Sequence, residues 1–373
     1  MNKTNYKDLN KSEKIIRQKE ISKVFLRLGT LAFGGPAAHI AMMDEEIVKK
    51  RKWISRDKFM DLIGATNLIP GPNSTELAIH LGYERGGILG LLLAGTTFIL
   101  PAMIIVLLFA ITYVKYGSIP EVGSILYGIK PVIIAVVLQA LYRLGKSVIK
   151  DKISFMVLLF VLTFSFLGIS EIPLLFIAGI IMMGILNRDK IKNKFLGISI
   201  LPLSVVFLTF LKIGSVLYGS GYVLLAFLEA EFVEKLGILT NQQLLDAVAV
   251  GQLTPGPVFT TATFIGYLLR GFPGAILATM GIFLPSFILV WALNPIIPKL
   301  RTSSWVSGML DGINIASLGL MAVVSFKLGI SSLTDVLTIS IFMGSIFALT
   351  KFKINSAWII VGGGIVGFLS NII

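Results

Sequence analysis

Two Pro-Gly-Pro triplets interrupt an otherwise apolar sequence, and polar side chains surround both of them. The first lies in NLIPGPNSTELAIH, 67–80, and the second in QLTPGPVFTTATFIG, 252–266. Proline disfavours helix in the residue before it and glycine permits a sharp reversal, so each triplet predicts a break between two short helices. The prolines that form the two breaks are Pro70, Pro72, Pro255 and Pro257.

A helix that restarts after such a break offers the chemistry of an anion site. Its first N–H groups have no partner within the helix, and its N-terminus carries a partial positive charge. Hydroxyl and amide groups suit a tetrahedral oxyanion, which accepts hydrogen bonds from all sides. The predicted substrate contacts at the two breaks are Asn67, Gly71, Asn73, Ser74, Thr75, Gln252, Thr254, Gly256, Thr260 and Thr261. The alternative is a plain turn between packed helices, in which Ser and Thr only cap the second helix.

Three basic residues inside apolar segments could balance the charge of a dianion. Ionisable residues at membrane depth are costly and usually functional. Arg27, Lys212 and Lys130 are therefore further substrate-binding candidates. The alternative for Arg27 and Lys212 is that their long side chains reach the membrane surface.

Glu76 is a residue that an anion site should not contain, because a carboxylate repels the substrate. It could be protonated, pair with Lys130 or Arg27, or couple proton movement to transport, and a structural salt bridge stays equally open. His80 follows one helical turn later and could relay a proton. We take Glu76 and His80 as coupling candidates, whereas His39 is interpreted as a packing residue.

The composition indicates an integral membrane protein. Of the 373 residues, 55% are hydrophobic and only 14% are charged, against about a quarter in soluble domains. The net charge of +13 lies in short loops, as it does on the cytoplasmic side of membrane proteins, so a nucleic-acid partner is not expected. With no cysteine and two histidines, we expect no metal site and no cofactor.

The sequence contains an internal repeat, so that its first half matches its second. FLRLGTLAFGG at 25 matches FLKIGSVLYGS at 210, and the two PGP triplets are separated by the same 185 positions. Later matches, such as Pro101 with Pro285, are 184 positions apart. The predicted organisation is a basic cytoplasmic tail at 1–20, repeats at 21–187 and 205–373, and a connector at 188–204.

Charge predicts how the two repeats cross the membrane. If 25–43, 210–228 and the PGP hairpins are re-entrant, nine spans remain, and most Lys and Arg residues then lie inside. DEEIVKKRKW in the first repeat is basic, whereas its counterpart EAEFVEKLGI is acidic, which suggests opposite faces. The predicted fold is an all-α membrane protein of two inverted repeats with broken hairpins; parallel repeats are the alternative. The N-terminus is expected inside and the C-terminus outside.

Three segments resemble the signature of the chromate ion transporter family: LRLGTLAFGGPAAHIAMMDEEIVKKRKWIS, NLIPGPNSTELAIHLGYERGG and GQLTPGPVFTTATFIGYLLRG. The resemblance covers nearly the whole chain. It implies a bacterial plasma-membrane protein that expels chromate, and it adds Gly34 and Gly35 of the FGGP segment to the substrate-binding candidates. Family members often have Gln where this chain has Glu76, which puts the coupling mechanism in doubt.

The sequence thus favours a secondary transporter of chromate or a related oxyanion such as sulfate. An enzyme would want a nucleophile–base pair or a metal cluster, and neither is visible. An anion channel stays open, because broken helices also suit channels. No nucleotide-binding motif of the form GxxxxGK[ST] occurs, and the sequence leaves a homodimer open.

Overall fold

The computed structural model describes residues 6, 9–32, 35–116, 120–167, 169, 171–186, 204–218, 223–293, 304–352 and 354–370. Every regular element in these ranges is helical, as the predicted fold class requires. The first repeat contains α1 (Lys11–Leu31), α2 (Gly35–Met43, continued by a π-helical segment at Asp44–Lys50), α3 (Arg56–Thr66), α4 (Asn73–Tyr116), α5 (Pro120–Val148), α6 (Lys152–Phe166) and α7 (Glu171–Leu186).

The second repeat has the same seven helices in the same order. They are α8 (Ser204–Val216), α9 (Leu224–Leu228, continued by a π-helical segment at Glu229–Lys235), α10 (Asn241–Leu253), α11 (Thr261–Leu293, after a 3-10 turn at Val258–Thr260), α12 (Ser304–Ser332), α13 (Val336–Phe347, with a π-helical end at Ala348–Phe352) and α14 (Ser356–Leu369). The internal repeat read from the sequence is therefore also a repeat of structure. Most of the predicted connector lies outside the described residues, and residues 11–20 of the predicted tail form the start of α1.

Helices α4 and α11 each fold back on themselves at a matching turn. The backbone leaves the helix at Gly86 and Gly87 in α4, and at Arg270 and Gly271 in α11. Gly87 and Gly271 both have φ of 60°, a conformation that glycine adopts without a steric penalty. In α4, a Cβ on Gly82 would overlap the carbonyl of Gly90, so the arm after the PGP triplet lies against the longer arm that follows the turn.

The two repeats interlock through glycines. Helix α5 packs on α14 where Gly128 meets Gly363, and α12 packs on α7 where Gly312 meets Gly179. The second contact is the repeat equivalent of the first. In each repeat the helix after the long hairpin thus packs on the last helix of the other repeat, and α4 packs on α11 between them.

Four described helices are long and apolar enough to cross a membrane: Asn73–Tyr116, Val122–Val148, Val258–Ala292 and Gly308–Ser332. Shorter apolar helices cover Lys152–Phe166, Glu171–Met183, Val205–Val216, Val336–Phe352 and Ser356–Leu369. The four long helices correspond to four of the nine predicted spans, and the shorter ones fall below the roughly 20 residues that a helix needs to cross the hydrocarbon.

Candidate functional site

Each PGP triplet is hydrogen-bonded to the C-terminal end of the first helix of the other repeat. The N–H of Gly71 donates to the carbonyl of Leu217, just after α8, over 2.8 Å. The N–H of Gly256 donates to the carbonyl of Ala32, just after α1, over 3.0 Å. Leu217 and Ala32 are themselves repeat equivalents, 185 positions apart. The two predicted breaks exist, and each is held by the opposite half of the molecule.

These bonds change the role expected for two glycines. We predicted Gly71 and Gly256 as substrate contacts, but both amide groups already donate to protein carbonyls. Both glycines have positive φ, 137° and 92°. A Cβ on Gly256 would lie 2.9 Å from Cβ of Ala102 and 3.1 Å from the carbonyl oxygen of Gly29. Glycine is therefore required here for the turn and for the close approach of the other repeat.

The first turn of α4 carries the polar residues that follow the first triplet. The side chain of Asn73 donates to Oδ1 of Asn67 over 2.8 Å, and Oγ of Ser74 lies 3.1 Å from Nδ1 of His39. The N–H groups of Thr75 and Glu76 close the turn on the carbonyl of Pro72. Neither Asn73 nor Ser74 caps the helix as expected, because both side chains bind elsewhere.

Two buried polar atoms at this turn have no hydrogen-bond partner among the described residues. They are Oγ1 of Thr75 and Oε2 of Glu76, and both side chains are fully buried. The other carboxyl oxygen of Glu76, Oε1, accepts from Oγ of Ser286 in α11 over 3.2 Å. Of the alternatives left open for Glu76, pairing with Lys130 or Arg27 is not found among the described residues. His80 is also fully buried, one turn further along α4.

The hydroxyl groups of the second break are already bonded. Thr254 donates to the carbonyl of Val250 over 2.7 Å, Thr260 to that of Pro257 over 2.8 Å, and Thr261 to that of Val258 over 2.8 Å. Gln252 is half-buried. The two breaks are therefore similar in backbone but different in chemistry, since an unpaired hydroxyl is found only at the first among these residues.

The basic residues predicted to bind the substrate make contacts elsewhere in the structure. Nζ of Lys130 donates a hydrogen bond to Oε1 of Gln242. The side-chain amide of Gln242 donates to Asp246, and the hydroxyl of Tyr113 also donates to Asp246, over 2.8 Å. Asp246 thus lies in a network of side-chain hydrogen bonds. Arg27 is exposed at a small cleft lined by Glu45 and Glu46. Gly35 begins α2, and Gly34 lies outside the described residues.

Lys212 lines a larger cavity, of about 720 Å³, beside the π-helical segment Glu229–Lys235. Lys212 pairs with Glu231, and Lys327 of α12 pairs with Glu234. Burial, and then the negative charge of Glu234, raise the pKa of Glu229 to about 7. The lining carries four glutamates and three lysines, and each lysine pairs with a glutamate, so the described residues of this cavity offer an anion no unpaired cation.

Sequence reasoning missed Ser286, which contacts Glu76, and it did not predict which groups His39 would contact. Ser286 follows Pro285, the repeat equivalent of Pro101, but Ala102 stands at its place in the first repeat. Its position against Glu76 depends on how α11 packs on α4, which no local pattern reveals. His39 was read as a packing residue, and the structure confirms that both ring nitrogens have partners.

The family model described as "Chromate transporter" matches residues 19–185 and again 204–368. The chain belongs to the chromate transporter family. The two matched ranges fall on the two repeats to within a few residues, so each half of this chain matches the family model by itself. The resemblance seen in the sequence motifs is confirmed.

Relatives in this family match over most of their length. A chromate transport protein of Cupriavidus metallidurans is 31% identical over 94% of this chain and 93% of its own. A probable chromate transport protein of Synechococcus elongatus is 30% identical over 90% of each chain. An uncharacterized transporter of Bacillus subtilis is 29% identical over 47% of this chain and 92% of its own. The matched part of this chain is about as long as one repeat. No solved structure matches.

Proposed function

We propose that this chain is a secondary active transporter that exports chromate across the bacterial plasma membrane, with the ion bound at the first of the two PGP breaks. The observation that carries the proposal is the crossed docking of the two breaks, with an unpaired buried hydroxyl at the first of them. Irregular backbone at membrane depth is tolerated where it is buried in protein or lines a watery cavity. Chromate is taken from the relatives whose names state it.

The first break supplies the ion contacts in this proposal. The N–H groups of Asn73 and Ser74 stand at the start of α4, where a helix offers amides to an anion. Oγ1 of Thr75 adds a hydroxyl donor that is not used elsewhere. Because Thr254, Thr260 and Thr261 donate to backbone carbonyls, the second break acts as the support on which the opening helix of the first repeat rests. Lys130 and Lys212 have other partners and are left out of the site.

An inverted arrangement of the two repeats is part of the proposal. Along α5 and α14, Ser124 approaches Gly367 and Val132 approaches Gly363, which supports antiparallel packing of these helices. Short loops join α5, α6 and α7, so α5 and α7 run in the same direction. Helix α14 is the equivalent of α7 and yet runs opposite to α5. This geometry supports opposite orientations of the repeats. The distribution of Lys and Arg supports the further proposal that the N-terminus is inside and the C-terminus outside.

Depth in the membrane follows from the lengths of the hairpin arms. The arm from Asn73 to Arg85 is roughly 20 Å long, against a hydrocarbon core of about 30 Å. Arg85 at its end pairs with Glu20, beside the basic residues that we assign to the inner face. The first break would then lie well inside the bilayer, and the second would approach it from the other face.

Glu76 is proposed as the coupling residue. Its carboxyl group is fully buried, accepts one hydrogen bond from Ser286 and has no cation partner among the described residues. Burying a charge without a partner is costly, so this geometry is easier to accommodate when the group carries a proton. A proton on Glu76 also removes the repulsion that a carboxylate would exert on chromate. His80 is the second candidate for the proton path.

The proposal is tested by chromate flux into liposomes that contain the purified protein. We expect saturable flux, which sulfate inhibits by competition because the two ions share shape and charge. Flux that rises linearly to high chromate concentration would contradict the carrier, and saturable sulfate flux with no chromate flux would reassign the substrate.

A further inference from the structure

His39 connects three parts of the molecule that the proposed transport cycle must move. Its ring is buried, with 1% exposed, and lies edge-on to the ring of Phe98. Nε2 lies 3.0 Å from the carbonyl oxygen of Ala32, and Nδ1 lies 3.1 Å from Oγ of Ser74. The histidine on α2 therefore joins the end of α1 to the first turn of α4.

The carbonyl of Ala32 extends this connection to the second repeat. The same oxygen accepts the N–H of Gly256, so both of its lone pairs are in use. A carbonyl can only accept, which places the ring proton on Nε2. In the neutral ring Nδ1 is then the acceptor, and Ser74 donates its hydroxyl proton to it. Ser74, His39, Ala32 and Gly256 form one continuous chain of hydrogen bonds from one PGP break to the other.

The second repeat has no equivalent of this connection. The bond from Gly71 to Leu217 repeats the bond from Gly256 to Ala32. However, the positions that match His39 and Ser74 are Leu224 and Phe259, which are both buried in one apolar cluster. Both breaks thus keep one backbone hydrogen bond to the other repeat, but only the bond to Ala32 is extended by side-chain hydrogen bonds; the matching positions next to Leu217 are packed by apolar side chains.

We propose that His39 is a positioning residue that holds the two PGP breaks in register through Ser74 and Ala32. It does not contact the transported ion, and neither does the hydroxyl of Ser74, which is fully occupied by His39. This inference rests on the proposed function, because the step that it controls is the movement of the breaks during transport. Loss of the connection then changes how fast the loaded protein moves and leaves ion binding intact.

The test compares His39→Leu, which installs the residue of the matching position, with Ser74→Ala, which removes one oxygen. We expect each to lower kcat for chromate flux by about tenfold, with KM changed by less than about threefold. The double variant should be no worse than either single variant, because both remove the same connection. Ser317→Ala, at another buried serine in α12, is the matched control and should behave as the wild type.

Two conservative variants distinguish the two hydrogen bonds of His39, the one to Ala32 and the one to Ser74. His39→Gln keeps a donor for Ala32, and His39→Asn keeps a group within reach of Ser74. We expect the Gln variant to retain more activity, because the hydrogen bond to Ala32 is the one that continues to Gly256 of the second repeat. An increase in KM at unchanged kcat, additive losses in the double variant, or unchanged kinetics in Ser74→Ala would overturn the proposal.

A second measurement does not depend on the substrate. The chain contains no cysteine, so Thr254→Cys places one thiol beside the second triplet, where the side chain is now 6% exposed. We expect His39→Leu to raise the rate of maleimide labelling at this thiol by about tenfold, because the support for Gly256 is loosened. Equal labelling rates would overturn the positioning role. Absence of chromate flux in the wild type would instead contradict the proposed function alone.

Discussion

At the residue scale, the difference between Thr75 and Thr260 is the reason why we propose the first break as the ion site. The two threonines are equivalent by sequence, and sequence reasoning assigned both to the substrate. The structure separates them, since the hydroxyl of Thr260 donates to Pro257 whereas that of Thr75 has no partner among the described residues. The unpaired hydroxyl is the one free to bind an anion.

Thr75→Val should therefore weaken chromate binding, and Thr260→Val should not. A hydrogen bond to a charged group contributes about 1.5–3 kcal/mol, which corresponds to roughly ten- to a hundredfold in Kd. Calorimetric titration of the purified variants measures the effect. Thr260→Val should lower thermal stability instead, because it removes a bonded hydroxyl. Equal affinities of Thr75→Val and wild type would remove Thr75 from the site.

Glu76 is the residue on which coupling depends. Glu76→Gln keeps the size of the side chain and its acceptor for Ser286 but cannot carry a transferable proton. We expect chromate flux in this variant to lose its response to an imposed pH gradient while chromate binding is retained. Glu45→Gln, at an exposed carboxylate that pairs with Lys49, is the control. A wild-type response to the gradient in Glu76→Gln would exclude Glu76 as the coupling site.

At the element scale, the glycine contacts between helices set how closely the repeats can interlock. A Cβ on Gly128 of α5 would overlap the carbonyl of Gly363, whereas a Cβ on Gly123 of the same helix meets nothing within 4 Å. The same substitution on one helix should therefore have opposite effects. This pair separates the cost of a lost helix contact from the general effect of glycine on a helix.

Gly128→Ala should destabilise the protein by about 1–3 kcal/mol or more, because α14 must move away. Gly123→Ala should be neutral or stabilising by up to about 1 kcal/mol, because alanine favours helix. Thermal unfolding in detergent measures both. Similar melting temperatures for the two variants would show that α5 and α14 do not pack as closely as described.

The elements also show how far sequence reasoning reaches. The spacing of the two repeats and the PGP triplets predicted the helix breaks and the matching halves, because glycine and proline act on the local backbone. The partners of the breaks could not be predicted. The bonds from Gly71 to Leu217 and from Glu76 to Ser286 join residues more than a hundred positions apart, and only the packing of the two repeats on each other brings them together.

At the scale of the whole molecule, the account requires two repeats of opposite orientation. The long apolar helices and the family match together support a multi-pass membrane protein, and the family model matches the chain twice. A reporter enzyme that is active only outside the cytoplasm should be active when it is fused after Ile373. The same reporter fused before Lys3 should be inactive, because the N-terminus is expected inside. A cytoplasmic signal from the C-terminal fusion would contradict the nine-span arrangement.

The central claim is that one binding site, formed at the breaks, alternates between the two faces of the membrane. Counterflow measures this directly: liposomes loaded with unlabelled chromate are placed in a trace of labelled chromate. A carrier exchanges the two, so we predict a transient accumulation of labelled ion inside, above its final level. Labelled chromate that approaches its final level without such a maximum would contradict alternating access and indicate a channel.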